Sequence, residues 1–240
     1  MLLRVGTSGY SYKEWKGSFY PADLPASKML PFYAERFSTV EINNTFYRMP
    51  APSALDGWAA QVPDGFRFAL KAPQRITHQK KLAGTEEDVR FLVETAATLG
   101  EKLGPLLFQL PPFLRCDLDR LRGFLAELPA GVTAAFEFRH DSWGDPSVSA
   151  ALAGRGAALC AADSEERPLD HIDATAPWGY LRLRRTDYDD AALGAWADRI
   201  AAAPWSEAWI FFKHEEEGKG PAYAERFVEL ARQRGLEIAK

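Results

Sequence analysis

Seven charged side chains stand at the ends of short apolar runs: Glu41, Lys71, Glu137, Arg139, Asp163, Arg182 and Lys213. Three acids and four cations gathered in one cavity would be mildly positive, which suits a small anion or phosphate group. Arg139, Arg182 and Lys213 would hold the anion as preorganised donors. Glu41 or Glu137 would serve as general base, and Lys71 or His214 as acid. Asn43 and Gln109 are placed to orient the ligand. Tyr12 and Tyr47 offer hydroxyls, and Asp163 adds a third carboxylate. Thr7 and Ser8 lie inside the string Gly6-Thr7-Ser8-Gly9, whose small residues and backbone N–H groups could cradle an oxyanion.

Spacing supports the convergence. Side chains alternate along a strand, so Glu41 shares a side with Asn43, Glu137 with Arg139, and Arg182 with Arg184. An unpaired charge facing the interior costs several kcal/mol, so these groups must pair with one another or meet a ligand. The alternative reading is a structural ion network plugging the interior. Lys71, Arg75, His78, Lys80 and Lys81 form a basic rim, either a solvated loop or a feature that steers phosphate. The four histidines show no HxxxH or HExxH spacing, so a three-ligand zinc site is poorly supported.

These residues need strands to carry them. Eight apolar runs, at about 2–7, 39–43, 66–71, 106–110, 132–138, 157–162, 179–183 and 208–212, each end in polar residues. Unbroken Val, Leu, Ile, Phe and Ala are what parallel strands buried on both faces require. Helical stripes separate most pairs, for example Leu30, Tyr33, Ala34 and Phe37, or Leu118, Leu121, Phe124, Leu125 and Leu128 after Asp117. Thr85 with Asp88 opens another. Residues 163–177 carry no amphipathic stripe, so one helix between strands six and seven is short or missing. The expected fold is α/β, a TIM (β/α)8 barrel filling residues 1–240 as a single domain, with its site at the C-terminal mouth.

The bulk numbers narrow the partners. The 240 residues match the ~250 typical of one such barrel. A net charge of −4 argues against a general nucleic-acid-binding surface. Cys116 and Cys160 are far apart, and nothing points to an oxidising compartment. No apolar stretch reads as a signal peptide or a membrane span, so a cytoplasmic protein is expected.

Five strings resemble the DUF72 (YecE-like) family: GTSGYSYKEWKGSFYP at 6–21, VEINNTFYRMP at 40–50, FALKAPQRITH at 68–78, LLFQLPP at 106–112 and EFRHDSW at 137–143. The resemblance implies a (β/α)8 barrel, compared with endonuclease IV-like and sugar-isomerase-like barrels, with no settled activity. Its motifs pick out Glu41, Asn43, Lys71, Gln109, Glu137 and Arg139. The chain departs from many members at Tyr10, at Arg184-Arg185 and at Lys213-His214. The last two make the pocket more basic.

Four readings follow. The first is a protein, an enzyme or a binder, acting on a small phosphorylated or nucleotide-like anion without a cofactor. The second is a nucleic-acid-binding barrel whose aromatic loop at 10–20 stacks bases. The third, by family analogy, is a metal-dependent phosphoesterase (hydrolase) or isomerase with one divalent ion on Glu41, Glu137 or Asp163. The fourth is a Schiff-base enzyme with Lys71 as nucleophile. A two-carboxylate glycosidase fits poorly, because Glu41 and Glu137 sit three strands apart.

Overall fold

The computed structural model describes residues 1–213 and 218–240. Eight strands follow in sequence order: β1 Leu2–Thr7, β2 Thr39–Ile42, β3 Arg67–Lys71, β4 Leu103–Gln109, β5 Ala134–Glu137, β6 Ala158–Asp163, β7 Trp178–Leu183 and β8 Glu207–Phe212. All pair in parallel, and β8 returns to β1. The helices between them are α1 Met29–Ala34, α2 Pro52–Ala59, α3 Glu86–Ala96, α4 Leu118–Glu127, α5 Pro146–Arg155, α6 Asp190–Ala202 and α7 Lys219–Gln233. This is the layout of a (β/α)8 barrel. As expected, no helix joins β6 to β7.

The period-two pattern sorts the strand residues into two layers. Val5, Val40, Leu70, Phe108, Phe136, Leu181 and Ile210 face the helices. Ala69, Leu107, Ala135, Ala158, Cys160, Tyr180, Trp209 and Phe211 fill the interior, small residues facing large ones. Gly104 belongs to this fit: a Cβ there would stand 3.0 Å from the Trp209 ring.

The seam between β1 and β2 is closed by three different devices. A ninth strand, β9 Glu237–Ile238, pairs with β1 at the bottom. In the middle, the Tyr33 hydroxyl accepts from Thr7 N at 2.8 Å and donates to Thr39 O at 3.0 Å. At the top, Gly9 N donates to Glu41 O at 2.8 Å. The approach is close enough that a Cβ on Gly6 would lie 2.1 Å from Thr39 O.

Some elements differ from expectation. β4 starts earlier than the apolar run, because Gly104-Pro105 interrupts hydrophobicity without interrupting the strand. β5 is shorter than its run, and pairs with β6 only at Ala135–Ala158 and Phe136–Leu159. Asp117 caps α4, accepting from Arg120 N at 3.0 Å. The Thr85 hydroxyl does not cap α3 but reaches Glu127 at 3.2 Å. Asp88 pairs with Arg75 and Lys80 at 2.6 and 2.8 Å, so two cations of the basic rim are neutralised. Among the described residues, no helix is long and apolar enough to cross a membrane.

Candidate functional site

Arg182 is the centre of the mouth. It points inward from β7, only 2% exposed, two residues after Tyr180 on the same side. Its Nη2 donates to Glu41 at 2.9 Å and its Nη1 to Glu137 at 2.5 Å. One buried guanidinium therefore ties β2 to β5 through β7. The Glu41 carboxylate also accepts from Ser8 Oγ at 2.6 Å and Tyr180 Oη at 2.7 Å. Glu137 takes Arg139 Nε at 2.8 Å and has Arg184 Nη1 at 3.8 Å.

This pairing decides the protonation states. Burial pushes the Glu137 carboxyl up, but Arg182, then Arg139 and Arg184, outweigh it and bring it down to about 2. For Glu41, burial is likewise outweighed by Arg182 and by the Ser8 and Tyr180 hydroxyls, so its carboxyl is held below the usual range. Both groups are ionised, and each of their oxygens already holds at least one donor. A carboxylate so weakly basic is a poor general base near neutral pH, and the base role expected for Glu41 or Glu137 does not fit this geometry. They hold Arg182 instead.

Lys71 stands apart from these pairs. It points inward from the tip of β3, and among the described residues its ammonium has no hydrogen bond or ion pair. Its Nζ lies 4.1 Å from the centre of the Phe46 ring. Burial, then Arg182, lowers its pKa to about 8, with Glu137 and Glu41 pulling the other way. His78 packs edge-on against Phe46 at 4.8 Å, its pKa lowered by burial and then by Lys71 and Arg139.

Four cations (Arg182, Lys71, Arg139 and Arg184) thus surround two carboxylates. Three donors here, Asn43 Nδ2, Arg182 Nε and Arg184 Nε, are buried without a partner among the described residues. Beside them a cavity of about 670 Å³ begins at Glu137, Arg139 and Arg184 and runs outward past Phe138, Trp143, Leu159 and Leu169. It opens where β5 and β6 part and the crossover lacks a helix. Arg167 straps the 164–177 segment to the β5 tip, donating to Arg139 O and to Asp141 at 2.8 Å.

The expected site residues divide into groups. Glu41, Lys71, Glu137, Arg139, Arg182 and Ser8 come together. Asn43 joins them, its Oδ1 3.5 Å from Arg182, and Gln109 sits in register with Glu137. Lys213 follows β8, its N–H on Leu183 O, with its side chain partly exposed. His214 lies outside the described residues.

Asp163 does not join the cluster. It faces α6, accepting from Leu169 N, Arg185 Nε and Tyr188 Oη at 2.9 Å each and from Trp196 Nε1 at 3.3 Å. Thr7 likewise faces the helix layer, beside Tyr33. Tyr12 spends its hydroxyl on Ser8 O at 2.8 Å, and Tyr47 is 75% exposed. The oxyanion cradle at 6–9 is also absent, because Thr7 N, Ser8 N and Gly9 N already donate to Tyr33 Oη, Phe212 O and Glu41 O.

Sequence reasoning gave no role to Tyr180, and it read Arg184 and His78 only as added basic charge at the pocket and its rim. Tyr180 and Arg184 flank Arg182 at spacing two, which was a readable signal. A divalent ion does not fit these residues. The oxygens of Glu41 and Glu137 are taken by guanidinium and hydroxyl donors, and Asp163 faces elsewhere. Among the described residues, no three His, Cys, Asp or Glu side chains form a metal-holding group.

The profile of the family described as "Protein of unknown function DUF72" matches residues 4–240. The chain belongs to the DUF72 family. UPF0759 protein YecE of Escherichia coli K12 is 35% identical over 109 residues, which is 45% of this chain and 40% of YecE. UPF0759 protein YunF of Bacillus subtilis is 28% identical over 153 residues, 60% of this chain and 53% of YunF. The chain therefore spans about half the length of the curated relatives it matches. A DUF72 family protein from Thermotoga maritima superposes with a TM-score of 0.84 at 24% identity, covering 97% of this chain and all (100%) of that one. Another, from Enterococcus faecalis, gives 0.76 at 18% identity over 96% and 95% of the two chains. Both share the fold.

Proposed function

We propose that this DUF72 protein binds a small phosphorylated or nucleotide-like anion at the C-terminal mouth of its barrel. The observation that carries the reading is the surplus of cations. Four positive groups crowd two carboxylates, leaving more positive than negative charge at the mouth. An anion on Arg139, Arg184 and Lys71 would relieve that excess, and Asn43 Nδ2 would gain an acceptor. The adjoining cavity of about 670 Å³, lined by Arg139 and Arg184 but not by Lys71 or Asn43, has the size of small-molecule sites. If the protein is an enzyme, Lys71, with its pKa near 8, is the group tuned for proton transfer near neutral pH. The reading places the protein in the cytoplasm, supported by Cys116 and Cys160 being free thiols.

Thermal shift with inorganic phosphate and glucose 6-phosphate tests it. A ligand at about 100 times its Kd stabilises by ~2.7 kcal/mol, or a rise of ~5–11 °C in a chain of this size. The rise should vanish in the Arg139→Ala/Arg184→Ala variant. No shift with either compound at 10 mM refutes the reading.

A second reading, nucleic-acid binding, draws on the exposed rings of Tyr47 and Phe113, with Lys81 Nζ 5.5 Å from the Phe113 centroid. Backbone-phosphate binding would weaken steeply with salt, whereas a single bound ester would respond weakly.

A further inference from the structure

We propose that Lys71 is a covalent site, its Nζ forming an imine with a small aldehyde or ketone whose anionic group rests on Arg139 and Arg184. The inference rests on the anion-binding reading and names the class of ligand it serves. The lysine has what a nucleophilic amine needs. Among the described residues no carboxylate pairs with it, because Glu41 and Glu137 are committed to Arg182, Ser8, Tyr180 and Arg139. It is largely buried beneath the Phe46 ring at 4.1 Å, and burial, then the cationic Arg182 and Arg139, disfavours its charged form. An ammonium in such a place gives up its proton more readily than one in water. With its pKa at about 8, a sizeable neutral fraction is present near pH 7.5. A lysine meant only to hold an anion has no need of this depression, since a permanently charged group serves better.

The step balances without a further reactant. The neutral Nζ lone pair attacks the carbonyl carbon, and the C=O π pair moves to oxygen. The oxygen takes up a proton to give a carbinolamine. The nitrogen pair then forms C=N as the C–O bond breaks, and both amine protons leave with the oxygen as water. Arg139 and Arg184, by holding the anionic group, would orient the carbonyl toward Nζ.

The test uses glycolaldehyde phosphate, and glycolaldehyde as its uncharged counterpart, with sodium cyanoborohydride and peptide mapping of the reduced adduct. Lys71 should be labelled by the phosphate ester at least tenfold faster than the exposed Lys13 and Lys28. Its rate should be half-maximal near pH 8. Arg139→Ala/Arg184→Ala should bring the ester down to the rate of glycolaldehyde. Lys71→Arg keeps the charge and should lose the label at this site while still melting cooperatively. Labelling spread evenly over the lysines overturns the inference. If that happens while inorganic phosphate still raises the melting temperature, the imine alone has failed and the anion site stands. Loss of both means that the underlying reading has failed.

Discussion

Replacing Arg182 with Met keeps most of the stem and removes the guanidinium that Glu41 and Glu137 share. The Glu137 carboxyl falls from its ordinary 4.5 to about 2 on folding. At about 1.4 kcal/mol per unit, that is on the order of 3 kcal/mol of stability held at one carboxylate. The depressed value fixes the sign: this contribution is present above pH 4.5 and lost as pH falls toward 2. Arg182 is the largest of the three cations that cause it. Breaking a buried pair by removing one partner costs ~3–5 kcal/mol, because the other charge is left behind. In a chain of this size that is a fall of roughly 6–20 °C in melting temperature. In the variant the stranded carboxyls take up protons instead. Arg182→Met should therefore lose most at pH 7.5 and distinctly less at pH 4.5. Adding Glu137→Gln should recover part of the loss. Melting followed by circular dichroism at the two pH values measures this. A deficit of only about 2–4 °C, or one of equal size at both pH values, would refute the claim that Arg182 exists to neutralise two ionised carboxylates.

Two further outcomes follow from the packing. Tyr33→Phe removes the hydroxyl that serves Thr7 N and Thr39 O across the β1–β2 seam; leaving these buried groups unpartnered costs ~1–3 kcal/mol each, read as a drop in urea midpoint without a change in slope. A midpoint equal to the parent's would show that the seam does not depend on it. Asp163→Asn converts an acceptor of four hydrogen bonds into a group with one donor face, and should destabilise by about 3 kcal/mol. Phosphate should still raise the melting temperature of that variant by the parent's amount, because Asp163 faces α6; a loss of the shift would return it to the mouth.

The barrel was legible because parallel strands buried on both faces must be apolar along their length, and the helices between them carry their own stripes. Period two was enough to put Glu41 beside Asn43, Glu137 beside Arg139, and Arg182 beside Arg184. Local pattern failed where pairing alone makes the structure. β9 is two residues long and exists only because β1 offers an open edge. The Gly6–Gly9 string looked like an anion cradle, yet each N–H from Thr7 to Gly9 was already claimed by a neighbour distant in sequence.

The amino-acid sequence by itself determined which residue types stand at the strand tips and that most of them face one cavity, since alternation is a property of the extended chain. It could not say which charges cancel. Asp163 and Arg182 read alike as ionised residues at strand ends, but one turns toward α6 and the other toward two carboxylates. Partner choice depends on distances between strands far apart in the chain, and on burial that multiplies each interaction. Only the folded barrel decided that Glu41 and Glu137 are spent on Arg182, and that Lys71, among the described residues, meets an aromatic face in place of a counter-ion.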